Sequence, residues 1–256
     1  AREKQKKMLN ELSIAHKQLE YYAAQLEDEA QRLRVEVAVA RKIQTMVLPS
    51  EEDFSGISDL EVACIMRPAD EVGGDYYDLI QLGRQVFIGI GDVTGHGLSS
   101  GIIMLMAQTA IRTVAEFQPK TPSEFISILN RVLFSNIARI KEDRNMTLSI
   151  LYYTGHGRYM VSGQHESLII CRNNGEIENL STLELGFYVG MLPDISDSMK
   201  NFEFRLEKGE TLILYSDGVT EAENDKKVQF GMDRLLNTAS KYRLLPAETM
   251  KNKLIK

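Results

Sequence analysis

The fold class predicted by this chain is α+β: a layered domain on antiparallel sheets, entered through one long helix. Three observations lead there. Residues 1–47 contain no glycine or proline and repeat leucine every seven residues. From about residue 59 the hydrophobic period shifts in blocks: strands first, then two helices, then more strands, then two short closing helices. Asn173-Asn174-Gly175 and Lys208-Gly209 punctuate the later strands as tight turns, and tight turns join antiparallel neighbours.

The first element, residues 1–47, is a coiled-coil or linker helix. Leu12, Leu19, Leu26 and Leu33 occupy d positions, with Leu9, His16, Ala23, Ala30 and Val37 at a. A parallel homodimer would pair Glu29 with Arg34 and Glu36 with Arg41 across the seam, opposite in sign. The small alanines at two a positions make this a weak zipper, and the competing reading is a lone amphipathic helix lying on its own domain. The opening Arg2, Lys4, Lys6 and Lys7 are too few for the continuous basic helix of a DNA-binding zipper. Leu48-Pro49-Ser50 ends the helix, because proline disfavours helical geometry in the residue before it.

Residues 48–256 form the second unit. Leu60–Met66, Tyr76–Leu82 and Val86–Ile90 read as strands. Two helices follow, Leu98–Phe117 and one opened by the capping box Thr121-Pro122-Ser123-Glu124. Strands return at Met146–Tyr153, Arg158–Ser162, Leu168–Arg172, Ile177–Leu180, Phe202–Leu206 and Thr211–Tyr215, and helices close the chain near 230–241 and 246–255.

Composition narrows the function. With 43 % hydrophobic and 26 % charged residues the chain has ample material for a core. A net charge of −6 argues against nucleic-acid binding, since phosphate backbones demand a basic face. Cys64 and Cys171 lie in separate apolar runs and read as buried thiols rather than a disulfide or zinc framework. No signal peptide is visible and no apolar run reaches the roughly 18 residues of a spanning helix, so a cytoplasmic location without a membrane is expected.

The chemistry sits in three segments, Gly73-Gly74-Asp75, Gly91-Asp92-Val93-Thr94-Gly95-His96-Gly97 and Tyr215-Ser216-Asp217-Gly218-Val219. Each sets an aspartate beside glycine next to a strand-like run. Glycine permits tight turns and close backbone approach. Carboxylates held there are hard oxygen donors of the kind that bind Mg²⁺ or Mn²⁺. Acids from distant parts of the chain repel in one site unless a cation lies between them, and such a centre implies hydrolysis. The plain alternative, that Asp-Gly is only a common turn, weakens when three such segments recur together.

These segments, extended to Val72–Asp78 and Tyr215–Glu221, resemble the signatures of bacterial metal-dependent protein serine/threonine phosphatases of the SpoIIE/RsbU (PPM) type. Ile43-Gln44 with Leu48-Pro49 resembles the motif that enters those domains, and Phe230-Gly231 the segment after the third signature. The resemblance covers roughly residues 40–250. It implies an α-β-β-α sandwich with two Mn²⁺ or Mg²⁺ ions at one edge, Asp92 between them, the Val93 carbonyl as a further ligand, Asp75 on one ion and Asp217 on the other. It further implies in-line attack of water on a phosphoserine or phosphothreonine, carried by a partner such as a STAS-type anti-sigma-factor antagonist. The helix would then connect an upstream sensor to the phosphatase.

Two departures stand against the pattern. Members carry a further acid in an Asp-Asp pair near the C-terminus, and this chain reaches Lys256 first, so truncation there is expected. Ser162-Gly163-Gln164-His165 replaces the usual Ala-Gly-His and reads as a loop variation. His96 reads as shaping its loop, His156 and His165 as exposed turn residues, and Asp78 as a structural acid on the face opposite Asp75. The competing functions are a catalytically silent phosphatase-like module that binds a partner, and a hydrolase of small phosphoesters.

Overall fold

The computed structural model describes residues 2–49, 51–54, 57, 59–67 and 72–255; Ala1, Ser50 and Lys256 lie outside them. Helix α1 (Arg2–Met46) is continuous, as the absence of Gly and Pro requires. It is followed by a single turn, α2 (Glu51–Phe54). The expected strand Leu60–Met66 does not form. Its alternation is used differently: Leu60 and Val62 pack on the core while Glu61 accepts the Ala247 N–H at 2.9 Å, without a ladder partner.

Strands β1 (Tyr76–Leu82) and β2 (Gln85–Val93) form a hairpin. Helices α3 (Leu98–Glu116) and α4 (Pro122–Ile140) follow. The capping box at α4 forms: Thr121 Oγ1 accepts the Glu124 N–H, while Glu124 reaches back to the Lys120 N–H rather than to that of Thr121. Then come β3 (Met146–Tyr153), β4 (Arg158–Gln164), β5 (Leu168–Cys171), β6 (Ile177–Leu180), β7 (Phe202–Arg205) and β8 (Thr211–Ile213). The one-turn α5 (Asp217–Thr220) and helices α6 (Gly231–Tyr242) and α7 (Ala247–Leu254) close the chain.

Two antiparallel sheets result, ordered β1-β2-β3-β4-β7 and β6-β5-β8. Period-2 alternation divides their side chains among three apolar layers. From β3, Met146, Leu148, Ile150 and Tyr152 face α3 and α4, whereas Leu151 and Tyr153 face the second sheet. From β5, Leu168 and Ile170 meet them, while Ile169 and Cys171 turn to α6 and α7. The fold is therefore an α-β-β-α sandwich.

Helix α3 is long and apolar enough by composition to cross a membrane, a property the run-length expectation missed. Here it is a core helix, with Ile103, Met104, Ala107 and Ile111 sealed against the first sheet. Most of α1, by contrast, projects from the domain. Leu12, Leu19, Leu26 and Leu33 are each more than half exposed, and the helix becomes buried only near Gln44.

Candidate metal centre

Three elements deliver the aspartates. Asp75 immediately precedes β1, Asp92 is the penultimate residue of β2, and Asp217 opens α5 just beyond β8. The strand before Asp217 was expected to reach Tyr215. Instead β8 stops at Ile213, and the Val219 N–H bonds to the Ser216 carbonyl, turning the chain into a helix at that point.

Register explains why two of the acids meet. Tyr76 pairs with Gly91, so one step further sets Asp75 across from Asp92, and the Val93 N–H donates to the Gly74 carbonyl at 3.2 Å. Asp92 shares the parity of Val86 and Ile88, which face the second sheet, so it sits at the open end of the inter-sheet layer. Gly74 permits the approach: a methyl there would fall 2.4 Å from the Val93 carbonyl oxygen and 2.6 Å from Asp92 Oδ1.

Electrostatics ties the third acid to this pair. Burial, then the charges of Asp75 and Asp217, push the Asp92 carboxyl up to about 7, against a hydrogen bond from the Val93 N–H. Burial also raises Asp75, with Asp217 adding to the rise and the Ser216 side chain opposing it. Asp75 Oδ1 is buried without a hydrogen-bond partner. An unsatisfied buried carboxylate oxygen is costly, and a cation would satisfy it.

Among the described residues no three His, Cys, Asp or Glu side chains converge closely enough to hold an ion. Asp75 and Asp92 stand together, and the exposed Asp217 interacts with them only through its charge. Like charges brought to one edge raise one another's pKa, and a cation between them would relieve that repulsion. The orphaned oxygen, the glycine cradle and the all-oxygen donor set fit a hard divalent cation.

The surroundings contain residues that the sequence reading missed. His165, expected to be exposed, is half-buried: its Nδ1 pairs with Thr147 Oγ1 at 2.8 Å, and that hydroxyl also donates to the Asp92 carbonyl at 3.3 Å. Burial lowers His165 to about 4, with the Tyr215 backbone and Asp217 acting in the opposite direction, so the ring is neutral at pH 7. Glu166 beside it is raised by burial and then by Asp217, with Tyr215 opposing. The signal was Ser162-Gly163-Gln164-His165, set aside as a loop variation. Asp78 is indeed structural, forming a two-point ion pair with Arg112 of α3 at 2.8 and 2.9 Å.

The loop after Asp92 is fastened at both ends. The Thr94 N–H donates to the Asn145 carbonyl at 2.9 Å, Arg144 Nη1 donates to the Thr94 carbonyl at 2.6 Å, and the Gly97 N–H donates to the Val72 carbonyl at 3.1 Å. Gly95 has φ +79°, a conformation that favours glycine, and it lies against the Arg144 guanidinium. His96 is exposed on this loop. A cleft of about 420 Å³ between α4 and Ser196–Met199 contains none of the three aspartates.

Comparison with known proteins adds a lineage. Residues 83–256 match the model of the family described as Stage II sporulation protein E (SpoIIE). The phosphoserine phosphatase RsbU of Bacillus subtilis (strain 168) is 27 % identical over 205 residues, covering 76 % of this chain and 56 % of that protein. Protein IcfG of Synechocystis sp. is 26 % identical over 232 residues, covering 80 % of this chain and 36 % of that protein. The chain thus spans about half or less of the length of these relatives. The solved SiaA-PP2C domain of Pseudomonas aeruginosa superposes with a TM-score of 0.75 at 20 % identity, covering 88 % of this chain and 89 % of that one. At that identity the likeness establishes the fold.

Proposed function

Because the chain belongs to the SpoIIE family, we propose that it is a metal-dependent protein serine/threonine phosphatase domain, the output unit of a signalling protein. The observation that carries this reading is the Asp75–Asp92 pair across Gly74, with Asp75 Oδ1 buried and unpartnered. Asp75, Asp92, the Val93 carbonyl and Asp217 would hold Mn²⁺ or Mg²⁺. The chemistry supplied by such ions is polarisation of a phosphoryl oxygen and a lowered pKa for water.

The chain's own residues have definable tasks. Asp92, between Asp75 and Asp217 in charge, carries the shared negative field that draws cations to the edge. Thr147 and neutral His165 brace the Asp92 backbone, and the Arg144 and Asn145 contacts hold the following loop. Neither thiol offers a covalent route, because burial pushes Cys64 and Cys171 each up to about 11 and keeps them protonated. The substrate would be a phosphoserine or phosphothreonine on a partner protein, with a STAS-type anti-sigma-factor antagonist the named candidate.

The division at 47/48 suggests how the unit is built: α1 as a linker and the remainder as the phosphatase domain. The leucine stripe of α1 is not covered by its own domain, and its flanking charges are complementary across a parallel pair, so its occupant is a second copy of the chain. Sedimentation of wild type and Leu19→Pro checks this; a monomeric wild type would overturn it.

Hydrolysis of a phosphoserine protein with Mn²⁺, compared with Asp92→Asn, tests the catalytic reading. Turnover that persists in the variant would overturn it. The rival reading is a silent partner-binding module. That module would neither bind Mn²⁺ at millimolar concentration nor turn over. A small-phosphoester hydrolase would prefer a nucleotide to the phosphoprotein.

A further inference from the structure

We infer that Gln44 is a positioning residue for the metal edge: its carboxamide grips the Gly73 peptide and thereby sets Gly74 and Asp75 against Asp92. The inference rests on the metal-site reading above and goes beyond it by assigning a role to a residue of α1.

The side chain is 1 % exposed, on a helix whose residues are otherwise mostly in solvent. A buried primary amide is costly unless its donors and acceptor are matched. Both polar ends of Gln44 go to one residue. Nε2 donates to the Gly73 carbonyl at 2.7 Å, and Oε1 accepts the Gly73 N–H at 3.3 Å. Gly73 precedes β1, where no neighbouring strand supplies that pair of bonds, so a side chain stands in for one.

The rest of the segment is gripped as closely. The Val72 carbonyl accepts from Gly97, the Gly74 carbonyl accepts from Val93, and Val72 Cγ1 lies where a Cβ on Gly101 of α3 would be, 2.1 Å away. Three consecutive residues are therefore fixed by α1, by the loop after Asp92 and by α3, and Asp75 is the next residue. Neither adjacent residue can replace Gln44. Ile43 has no polar group, and Thr45 bonds back to the Arg41 and Lys42 carbonyls of its own helix.

The simpler alternative is that Gln44 merely docks α1. A second tie separates the two roles: Gln108 Nε2 donates to the Val47 carbonyl at 3.3 Å and fastens the same junction without touching the Gly73 peptide. The experiment is calorimetric titration of the whole chain with Mn²⁺ in wild type, Gln44→Met and Gln108→Ala. It is accompanied by Tm of each metal-free protein and amide exchange at Gly73 by NMR. Gln44→Met keeps the length and removes both hydrogen bonds. It is expected to weaken Mn²⁺ binding by about tenfold or more, in line with the loss of groups that orient metal ligands, and to speed Gly73 exchange. Gln108→Ala is expected to lower Tm with unchanged Mn²⁺ affinity. Equal effects of the two substitutions on affinity, or none from Gln44→Met, would reduce Gln44 to a docking contact. If the wild type itself binds no Mn²⁺, the metal-site reading fails and takes this inference with it. Wild-type binding that is indifferent to Gln44→Met removes the inference alone.

Discussion

At the scale of single residues, Asp92 and Gly74 make opposite demands on the same few ångströms. The Asp92 carboxyl, held at about 7 when no cation is present, titrates well above the ordinary value near 4. The folded chain then retains a proton that the unfolded chain releases. This acid's contribution to stability is intact below about pH 4, falls as pH rises to about 7, and is flat above. The Tm difference between Asp92→Asn and metal-free wild type is therefore expected to widen across that window, in favour of the variant. Parallel Tm profiles would contradict it. Gly74→Ala acts by volume: its methyl would meet the Val93 carbonyl oxygen and Asp92 Oδ1 inside contact distance. Mn²⁺ affinity is expected to drop by about tenfold or more, with calorimetry as the readout.

At the scale of elements, the two sheets are cross-linked by one side chain. Arg172, just past β5, forms a two-point pair with Glu178 of β6 at 2.7 and 2.8 Å. Its Nη1 reaches Glu210 and the Arg205 carbonyl of β7, each at 2.8 Å. The Arg172 hydrogen bond depresses Glu178. Glu210 is also depressed, because backbone donors and Arg172 outweigh its desolvation. Both acids therefore stabilise the fold above the ordinary carboxylate range and lose that contribution as pH falls through their folded values. Arg172→Ala is expected to cost on the order of 2 kcal/mol at pH 7, with a smaller deficit near pH 3, by denaturant unfolding. The strand pattern on either side of Arg172 was legible, because alternation and Asn-Asn-Gly are local. Its cross-link was not, because nothing local says which sheet an arginine will reach. The Leu60–Met66 segment failed for the converse reason: its alternation is real, but among the described residues it pairs with no strand.

At the scale of the whole molecule, the proposed metal site predicts that stability and metal binding are coupled, because its acids come from both sheets. Asp75 directly precedes β1, Asp92 lies in β2 and Asp217 follows β8, so an ion held among them would link the two halves of the sandwich. Mn²⁺ at one hundred times its Kd is expected to stabilise the chain by about 2.7 kcal/mol, several degrees in Tm for a domain of this size, and to do so much less in Asp92→Asn. The inter-sheet layer should carry much of the remaining cooperativity. Ile170→Ala, at a position 1 % exposed between the sheets, is expected to cost about 2–5 kcal/mol. Scanning calorimetry reads both.

By itself the sequence determined the order and type of nearly every element, the three Asp-Gly segments, and the helix with its leucine stripe. These are read from period, capping and turn chemistry, which act between residues close in the chain. Only the tertiary structure decided that Asp75 and Asp92 stand together while Asp217 interacts through charge, that the half-buried His165 reaches the Asp92 backbone through Thr147, and that Gln44 reaches Gly73 twenty-nine positions away. Those outcomes depend on strand register and on which face packs against what. They are set when the layers close, through hydrogen bonds and repulsions that no local stretch of chain contains.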